Sequence, residues 1–286
     1  MNRAQAPSLS LGISPCPNDT YIFHALLHGL VPCPAALDLH MADVEELNSM
    51  VCKKTLDVSK ISLGAVVDFM DDYALLSSGA ALGWGCGPLV VARQDFCASS
   101  LKTATVAIPG SMTTANLLLT LHGEFCGPRK AMLFNQVMPA VAKGDADLGL
   151  IIHEGRFTFE KFGLKKVLDL GQWWEAAYGL PLPLGAIAVR RDLYLPMALN
   201  LQTAIADSLA YANAHPESSR DFIRAHAQEI DDAVTRAHIR TFVTKYSLDL
   251  GETGRAAIEI LVDKAVCLTG RKMPSEGLFL PENMSA

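Results

Sequence analysis

The chain has 286 residues, of which 50% are hydrophobic and 19% are charged. This length exceeds what one ordinary hydrophobic core supports, so we expect two α/β lobes. A net charge of −6 without clusters of Lys and Arg argues against nucleic-acid and anionic-membrane partners, and no apolar run approaches the roughly 20 residues that cross a bilayer.

The start of the chain gives no targeting signal. Residues 1–12 contain one Arg and no apolar segment, so we expect a cytoplasmic protein. The seven cysteines include no Cys-x-x-Cys pair, which favours reduced, mostly buried thiols over disulfides or a zinc site. His24 and His28 lie on one predicted helix, but they lack the Glu of the metalloprotease pattern and a third ligand. We therefore expect no metal.

The first βα unit comprises a strand over residues 8–14, a proline-containing loop and a helix from Tyr21. One of the polar residues 18–20 is expected to cap the helix, and Asn18 also lies at the carboxyl end of the strand, where ligands bind in open α/β sheets. Cys16 precedes this helix, whose start can lower a thiol pKa. A nucleophilic role is the weaker interpretation, because no base is recognisable near it in the sequence.

The βα rhythm continues through a strand at 36–41, a helix at 44–53, a strand at 58–61 and a helical turn at 63–70. Lys60 lies in an otherwise apolar strand, so its charge needs a partner. A carboxylate-bearing ligand would serve, and so would a salt bridge to Asp57 or Asp68; both interpretations stay open.

A short strand at 73–76 is followed by a glycine-rich stretch at 77–88 and a strand at 89–93. No helix follows the last glycine, so this is not a dinucleotide-binding fingerprint. The glycines allow a close backbone approach to a ligand or a second lobe, or form a simple bulge. The polar residues 94–103 predict the crossover, which places residues 1–93 and 189–286 in lobe 1 and residues 94–188 in lobe 2.

Lobe 2 is predicted to begin with a strand at 106–108, a Pro109-Gly110 loop and a helix at 115–121. Unpaired amides and the helix dipole make such a helix start an anion site. We expect a carboxylate-bearing ligand there, with Thr113 and Thr114 donating hydrogen bonds. Thr113 is expected to cap the helix in either case.

A strand at 131–136 and a helix at 137–141 lead to a second candidate site. The apolar run 148–152 predicts a strand of a parallel sheet, buried on both faces, and it ends at His153 and Glu154. Ligands bind at the carboxyl ends of such strands, so His153 is a candidate catalytic residue. A histidine that only forms a hydrogen bond at a strand end is the alternative.

The remaining pattern is a partly aromatic segment at 156–159, Trp173 and Trp174, a strand at 186–190 expected to pair with residues 89–93, and helices at 198–215, 217–226, 231–246 and 253–267. The tryptophans could line the binding site of an aromatic ligand, but packing in the core is the commoner role. The helices are expected to pack on lobe 1, with His215, His226 and His238 at the surface or as caps.

Two α/β lobes joined by two crossover strands predict the periplasmic-binding-protein type II fold, which serves both receptors and enzymes. The chain also resembles the 1,4-dihydroxy-6-naphthoate synthase family of menaquinone biosynthesis by the futalosine pathway. The resemblance is carried by SPCPNDTYIF (14–23), SKIS (59–62), GPLVVAR (87–93), PG with TTA (109–115), GLIIHE with RFT (149–158), WWE (173–175) and GLPLPLGAI (179–187).

This resemblance implies a carbon-carbon lyase that converts cyclic dehypoxanthine futalosine to 1,4-dihydroxy-6-naphthoate without a cofactor. It places the general base at His153. The substrate-binding loops that it implies are Lys60, Ile61 and Ser62 on one side and Thr113, Thr114 and Ala115 on the other. Ser111 and Met112 depart from the bulkier residues that the family can carry after Pro-Gly.

The expected partner is a small-molecule substrate, with no nucleic acid and no membrane, and a homodimer is compatible with the sequence. Three other functions remain open. A chorismate dehydratase of the same pathway would act on a smaller, carboxylate-bearing substrate. A solute-binding receptor would need an export signal, and a regulatory ligand sensor would bind without turnover.

Overall fold

The computed structural model describes residues 8–227 and 231–281, so most of the segment on which the targeting prediction depends lies outside the described residues. The strands are β1 (Ser8–Ile13), β2 (Ala36–Met41), β3 (Val58–Ser62), β4 (Tyr73–Leu75), β5 (Ala81–Gly83), β6 (Leu89–Arg93), β7 (Val106–Ile108), β8 (Arg129–Ala131), β9 (Leu148–Ile151), β10 (Leu164–Asp169) and β11 (Leu182–Arg190). The helices are α1 (Pro17–Leu27), α2 (Val44–Cys52), α3 (Thr114–His122), α4 (Phe134–Lys143), α5 (Gly155–Thr158), α6 (Leu170–Tyr178), α7 (Leu195–Ala214), α8 (Arg220–His226), α9 (Asp232–Phe242), α10 (Lys245–Leu248) and α11 (Gly251–Thr269).

The strands form two mixed sheets, which confirms the α/β prediction. The first sheet has the order β2-β1-β3-β11-β4, with β5 paired to β11, and the second has the order β10-β6-β9-β7-β8. The βα units supply the parallel pairs, β1 with β2 and β3 and β7 with β8 and β9. β9 is also antiparallel to β6, so it lies in a mixed sheet rather than the predicted parallel one.

The chain passes between the sheets at residues 84–88 and again at residues 179–181. β11 pairs with β3, β4 and β5 of the first sheet, whereas β6 lies between β9 and β10 of the second. The predicted pairing of 186–190 with 89–93 and the predicted crossover at 94–103 are therefore wrong. The predicted lobe 1 includes β6 of the second sheet and excludes most of β11, because apolar patterning does not say which of two sheets a strand joins.

The glycine-rich stretch serves the first passage. A Cβ atom on Gly87 would lie 2.2 Å from the backbone of Gly171, at the start of α6. Only glycine permits two backbones to approach this closely. Because Leu89 pairs with Asp169, this approach continues the pairing of β6 with β10 within the second sheet. The predicted approach of these glycines to a ligand or a second lobe stays a prediction.

Several element boundaries differ from the prediction. Pro17 opens α1 four residues earlier than the predicted start at Tyr21, because proline suits the first turn of a helix. Cys16 is its N-cap without a side-chain bond, so the predicted cap among residues 18–20 is wrong. The predicted strand at 131–136 is instead the end of β8 and the start of α4. The aromatic segment at 156–159 is mostly the short helix α5, and β5 and β10 were not predicted.

The C-terminal helices pack on the first sheet as predicted, and the Ser208 hydroxyl of α7 donates to the Ile22 carbonyl of α1. Trp174 is fully buried and donates to the Pro181 carbonyl, which supports core packing over a ligand wall. All seven cysteines are free thiols, but only Cys16 and Cys86 are buried, so the expectation of mostly buried thiols is wrong. Within the described ranges, no helix combines the length and apolar character needed to span a membrane.

Candidate active site

A cavity of about 690 Å³ lies where the two sheets meet and is lined by residues that follow strands of both. Its lining residues are Ser14, Asn18, Asp19, Val44, Lys60, Ile61, Ser62, Ala81, Cys86, Gly87, Pro88, Thr113, Thr114, Ala115, Ile152, His153, Arg156, Leu184, Gly185 and Phe242. All eight residues predicted for the site are among them. The structure therefore brings together side chains that the sequence placed in separate βα units.

His153 lies directly beyond β9 with a φ of 53°, in the left-handed region that non-glycine residues rarely adopt. Strained backbone of this kind is concentrated at functional sites. The ring meets Phe134 edge-on at 5.1 Å between centroids, and its Nδ1 lies 3.6 Å from the Cys16 sulfur. These contacts hold the imidazole at the cavity wall.

The Cys16 thiol is a buried neighbour of His153. Burial raises its pKa well above the usual value, and the charges of Glu154 and Asp19 raise it further. These effects outweigh any lowering of the Cys16 pKa by the start of α1, because the thiolate would be buried beside two carboxylates. A neutral, buried thiol is a poor nucleophile, so the nucleophilic role of Cys16 stays the weaker interpretation. As a neutral thiol, it can still hold His153 through Nδ1.

Lys60 has a buried partner that the sequence did not predict. Its ammonium lies 3.0 Å from the Asp19 carboxylate, and the side chains are 6% and 1% exposed. The predicted partners are engaged elsewhere, Asp57 with Ser10 and Arg190 and Asp68 with Arg271. Asp19 also accepts hydrogen bonds from the Ser14 hydroxyl and the Asn18 amide, as a buried carboxylate requires.

His238 is the site residue that sequence reasoning missed. It is fully buried, so the prediction of a surface or capping role is wrong. Its ring stacks on that of His153 at 6.0 Å between centroids with an interplanar angle of 10°. The sequence does contain an indication that His238 is buried. Phe242 is apolar and lies one helical turn further along α9, so both residues are on the inward face of this helix.

Acid should weaken the fold through the buried histidines. Burial lowers the pKa of His24 and His122, and it holds that of His238 well below the usual value, aided by the charges of His153 and Lys60. A lowered pKa in the folded state means that the unfolded chain binds more protons below its pKa of about 6.5. Stability is thus full above that pH and falls as the solution is acidified, by up to about 1.4 kcal/mol per pH unit for the fully buried His238 and by less for the other two.

The test compares urea midpoints at pH 7.5 and 5.5. We expect the wild type to lose about 1 kcal/mol more than His238→Gln over this interval. His215→Gln removes an exposed histidine and should behave as the wild type does. An equal loss in the wild type and His238→Gln would contradict the prediction.

The loop that precedes α3 binds a carboxylate of the protein itself. The Glu45 carboxylate of α2 accepts hydrogen bonds from the Met112 amide at 3.0 Å and from the Ser111 hydroxyl at 3.0 Å. Thr113 caps α3 as predicted, accepting from the Asn116 amide. Ser111 and Met112 precede the N-cap Thr113, and their bonds to Glu45 provide a contact between the lobes. The binding of a ligand carboxylate at the first amides of α3 stays a prediction.

The two threonine hydroxyls are also engaged. Thr113 donates to the Gly110 carbonyl, and Thr114 donates to the Leu184 carbonyl and accepts from the Gly64 amide at 3.0 Å. Both hydroxyl protons are thus used in hydrogen bonds within the protein. The Thr114 contacts join α3 of the second lobe to the first, so this side of the cavity is closed.

Removing the Glu45 carboxylate should loosen the lobe contact. Glu45→Ala deletes hydrogen bonds to a charged group, so we expect the free energy of unfolding to fall by about 1–2 kcal/mol. Urea unfolding followed by tryptophan fluorescence measures this. Glu46→Ala removes an exposed carboxylate from the same helix and is the control; equal midpoints for the two variants would contradict the assigned role.

The fold is that of the periplasmic-binding-protein-like proteins, with two α/β lobes and a cavity between them. A ligand-binding component of an ABC-type import system from Staphylococcus aureus has a TM-score of 0.71 with 12% identity, over 96% of both chains. A crystal structure of an Archaeoglobus fulgidus protein has a TM-score of 0.86 with 33% identity, over 92% of this chain and 98% of that one. At 12% identity, the Staphylococcus aureus protein shows a similarity of fold alone.

Sequence comparison is more specific than the fold. A family model described as menaquinone biosynthesis matches residues 9–266. The 1,4-dihydroxy-6-naphtoate synthase of Thermus thermophilus is 48% identical over 90% of this chain and 94% of its own length. The enzyme of the same name from Streptomyces coelicolor is 44% identical over 91% and 93%. The chain belongs to the menaquinone biosynthesis family.

Proposed function

We propose that this protein is a carbon-carbon lyase that converts cyclic dehypoxanthine futalosine to 1,4-dihydroxy-6-naphthoate, with His153 as the general base. The observation that carries the proposal is the position of His153, held in a strained conformation at a cavity wall that both lobes build. The names of the two relatives support the product.

The cavity suits a planar, largely apolar ring system with polar substituents. Its apolar surface includes Ile61, Leu184 and Phe242, against which a fused ring can pack. Lys60 and Arg156 bring cationic groups to the same cavity, and each is already paired with a carboxylate. We propose that a naphthoate carboxylate competes for these donors, since guanidinium and ammonium groups favour carboxylate ligands.

The proposed chemistry is proton transfer followed by bond cleavage. Imidazoles titrate near pH 6.5, so a neutral histidine can accept a proton at physiological pH, an effect that typically contributes about 10²- to 10⁴-fold. His153 would remove a proton from the sugar-derived part of the substrate. The freed electron pair forms a double bond in the sugar-derived fragment as the carbon-carbon bond to the ring system breaks. The electron pair of that bond passes into the ring system, which takes back a proton and becomes the aromatic naphthalene, and the small fragment leaves.

Closure of the lobes would exclude water from the intermediate. In this proposal, the passages at residues 84–88 and 179–181 act as the hinge. The Glu45 and Thr114 contacts hold the closed form on one side of the cavity. Proton transfer of this kind requires no electron acceptor, and we propose no cofactor. The homodimer and the cytoplasmic location stay predictions.

The test is incubation of the purified protein with cyclic dehypoxanthine futalosine and identification of the product by mass spectrometry. We expect 1,4-dihydroxy-6-naphthoate, and chorismate offered in parallel should remain unchanged. Turnover of chorismate alone would favour the dehydratase alternative. Binding of the futalosine derivative without any product would favour a receptor or a sensor, and either result would overturn the proposal.

A further inference from the structure

Two imidazoles, the half-buried His153 and the fully buried His238, face each other beside the cavity, and the proposed mechanism uses only His153. His153 follows β9 in the second lobe, whereas His238 lies on α9 and is fully buried. Their rings are nearly parallel at 6.0 Å between centroids. Only His153 lines the cavity. His238 therefore contacts the proposed base from behind.

Hydrogen bonds determine which nitrogen of His238 carries the proton. Its Nε2 lies 2.9 Å from the Asn18 Oδ1, and the Asn18 Nδ2 donates to the Asp19 carboxylate at 2.8 Å. A carboxylate paired with Lys60 only accepts, so it fixes the orientation of the Asn18 amide and leaves its oxygen towards His238. An oxygen acceptor requires a donor. The Nε2 of His238 is therefore protonated.

The other nitrogen of His238 has no hydrogen-bond partner among the described residues. Its Nδ1 lies 3.8 Å from the Glu154 Oε2, which also lacks one. In a neutral His238 with the proton on Nε2, the Nδ1 of His238 and the Oε2 of Glu154 are both acceptors, so they form no hydrogen bond with each other. The charged or titratable groups around His238 are His153, Glu154 and Lys60, with Asp19 reached through Asn18. Burial together with the charges of His153 and Lys60 keeps the pKa of His238 low.

We propose that His238 is a positioning residue for the reaction at His153: Asn18 fixes a proton on its Nε2, and the flat face of this buried ring supports the His153 ring. A neutral neighbour matters because two stacked imidazoles repel each other when both are protonated. His238 stays uncharged and leaves His153 as the ring that accepts the substrate proton. This inference rests on the proposed role of His153 as the base.

The first test reads the protonation state directly and does not depend on the substrate. Nitrogen NMR of the histidine rings distinguishes the Nε2–H tautomer, the Nδ1–H tautomer and the charged form. We expect one ring, assigned to His238 by its absence in His238→Gln, to remain neutral with the proton on Nε2 from pH 6 to pH 8. A His238 ring that is protonated on Nδ1, or that becomes charged within this range, would overturn the inference.

The second test separates support of the ring from simple packing. His238→Phe keeps an aromatic face but cannot donate to Asn18, and His238→Gln keeps a donor but has no ring. Because small displacements of a catalytic group cost up to about 10²-fold, we expect each variant to lower kcat by about 10- to 100-fold, with KM changed by less than about 3-fold.

His24→Phe is the matched control. His24 is also a buried histidine with a lowered pKa, but it packs against His28 and Phe222 away from the cavity. We expect this variant to keep the wild-type kcat. If His238→Phe loses no more activity than His24→Phe, or if KM rises while kcat is unchanged, the positioning role is wrong. A wild type that is inactive on the substrate would instead overturn the proposed function, and the NMR result would still decide the state of His238.

Discussion

His153→Asn is expected to lower kcat by about 10²- to 10⁴-fold, the usual contribution of a general base. Asparagine is the informative replacement because the backbone at His153 has a φ of 53°, and asparagine tolerates this left-handed conformation better than alanine does. The variant should therefore fold normally and bind substrate with a similar KM. Steady-state kinetics of naphthoate formation provides the measurement.

Lys54→Asn is the matched control for the backbone. Lys54 is the other described non-glycine residue with a positive φ, at 57°, and it lies at the end of α2, outside the cavity lining. Its replacement should leave kcat unchanged. A His153→Asn variant with near-wild-type kcat would remove the proposed base, whatever the effect on KM.

Asp19→Ala should give the largest loss of stability in the first lobe. Removing one partner of a buried ion pair leaves the other charge uncompensated, which typically costs about 3–5 kcal/mol. Here the stranded group is the Lys60 ammonium, which is 6% exposed and whose remaining hydrogen bond is to the Gly79 carbonyl at 3.3 Å. Ser14 and Asn18 lose an acceptor as well. Urea unfolding at pH 7.5 measures the change.

Two further variants complete this experiment. Asp68→Ala removes a carboxylate from an exposed pair with Arg271 and should cost less than about 1 kcal/mol. The double variant Asp19→Asn with Lys60→Met removes both charges and should recover part of the loss. If Asp19→Ala is no more destabilising than Asp68→Ala, the buried pair does not stabilise the fold as described.

The sequence predicted those parts of the fold that depend on local pattern. The apolar run before His153 gave a strand and the position of its end, because a buried strand needs continuous apolar residues. β10 was not predicted because it has no such continuous apolar run. It includes Lys165 and Lys166 and lies at the edge of its sheet, where one face meets solvent and the apolar pattern is weak.

The partners within the site could not be predicted from the sequence. Lys60 required a negative partner, and the neighbouring candidates Asp57 and Asp68 were wrong because the strand directs Lys60 towards α1, where Asp19 lies. His238 reaches His153 from a helix of the other lobe. Such contacts depend on how the lobes pack, and periodicity within one segment does not contain that information.

The position of the bound substrate shows directly if His153 can act as the general base. A crystal structure of the His153→Asn variant with cyclic dehypoxanthine futalosine should show the ring system against Ile61 and Phe242. The reacting part of the substrate should lie within about 3.5 Å of the side chain at position 153, the distance required for reaction. Substrate bound outside the cavity, or with its sugar-derived part turned away from position 153, would contradict the account.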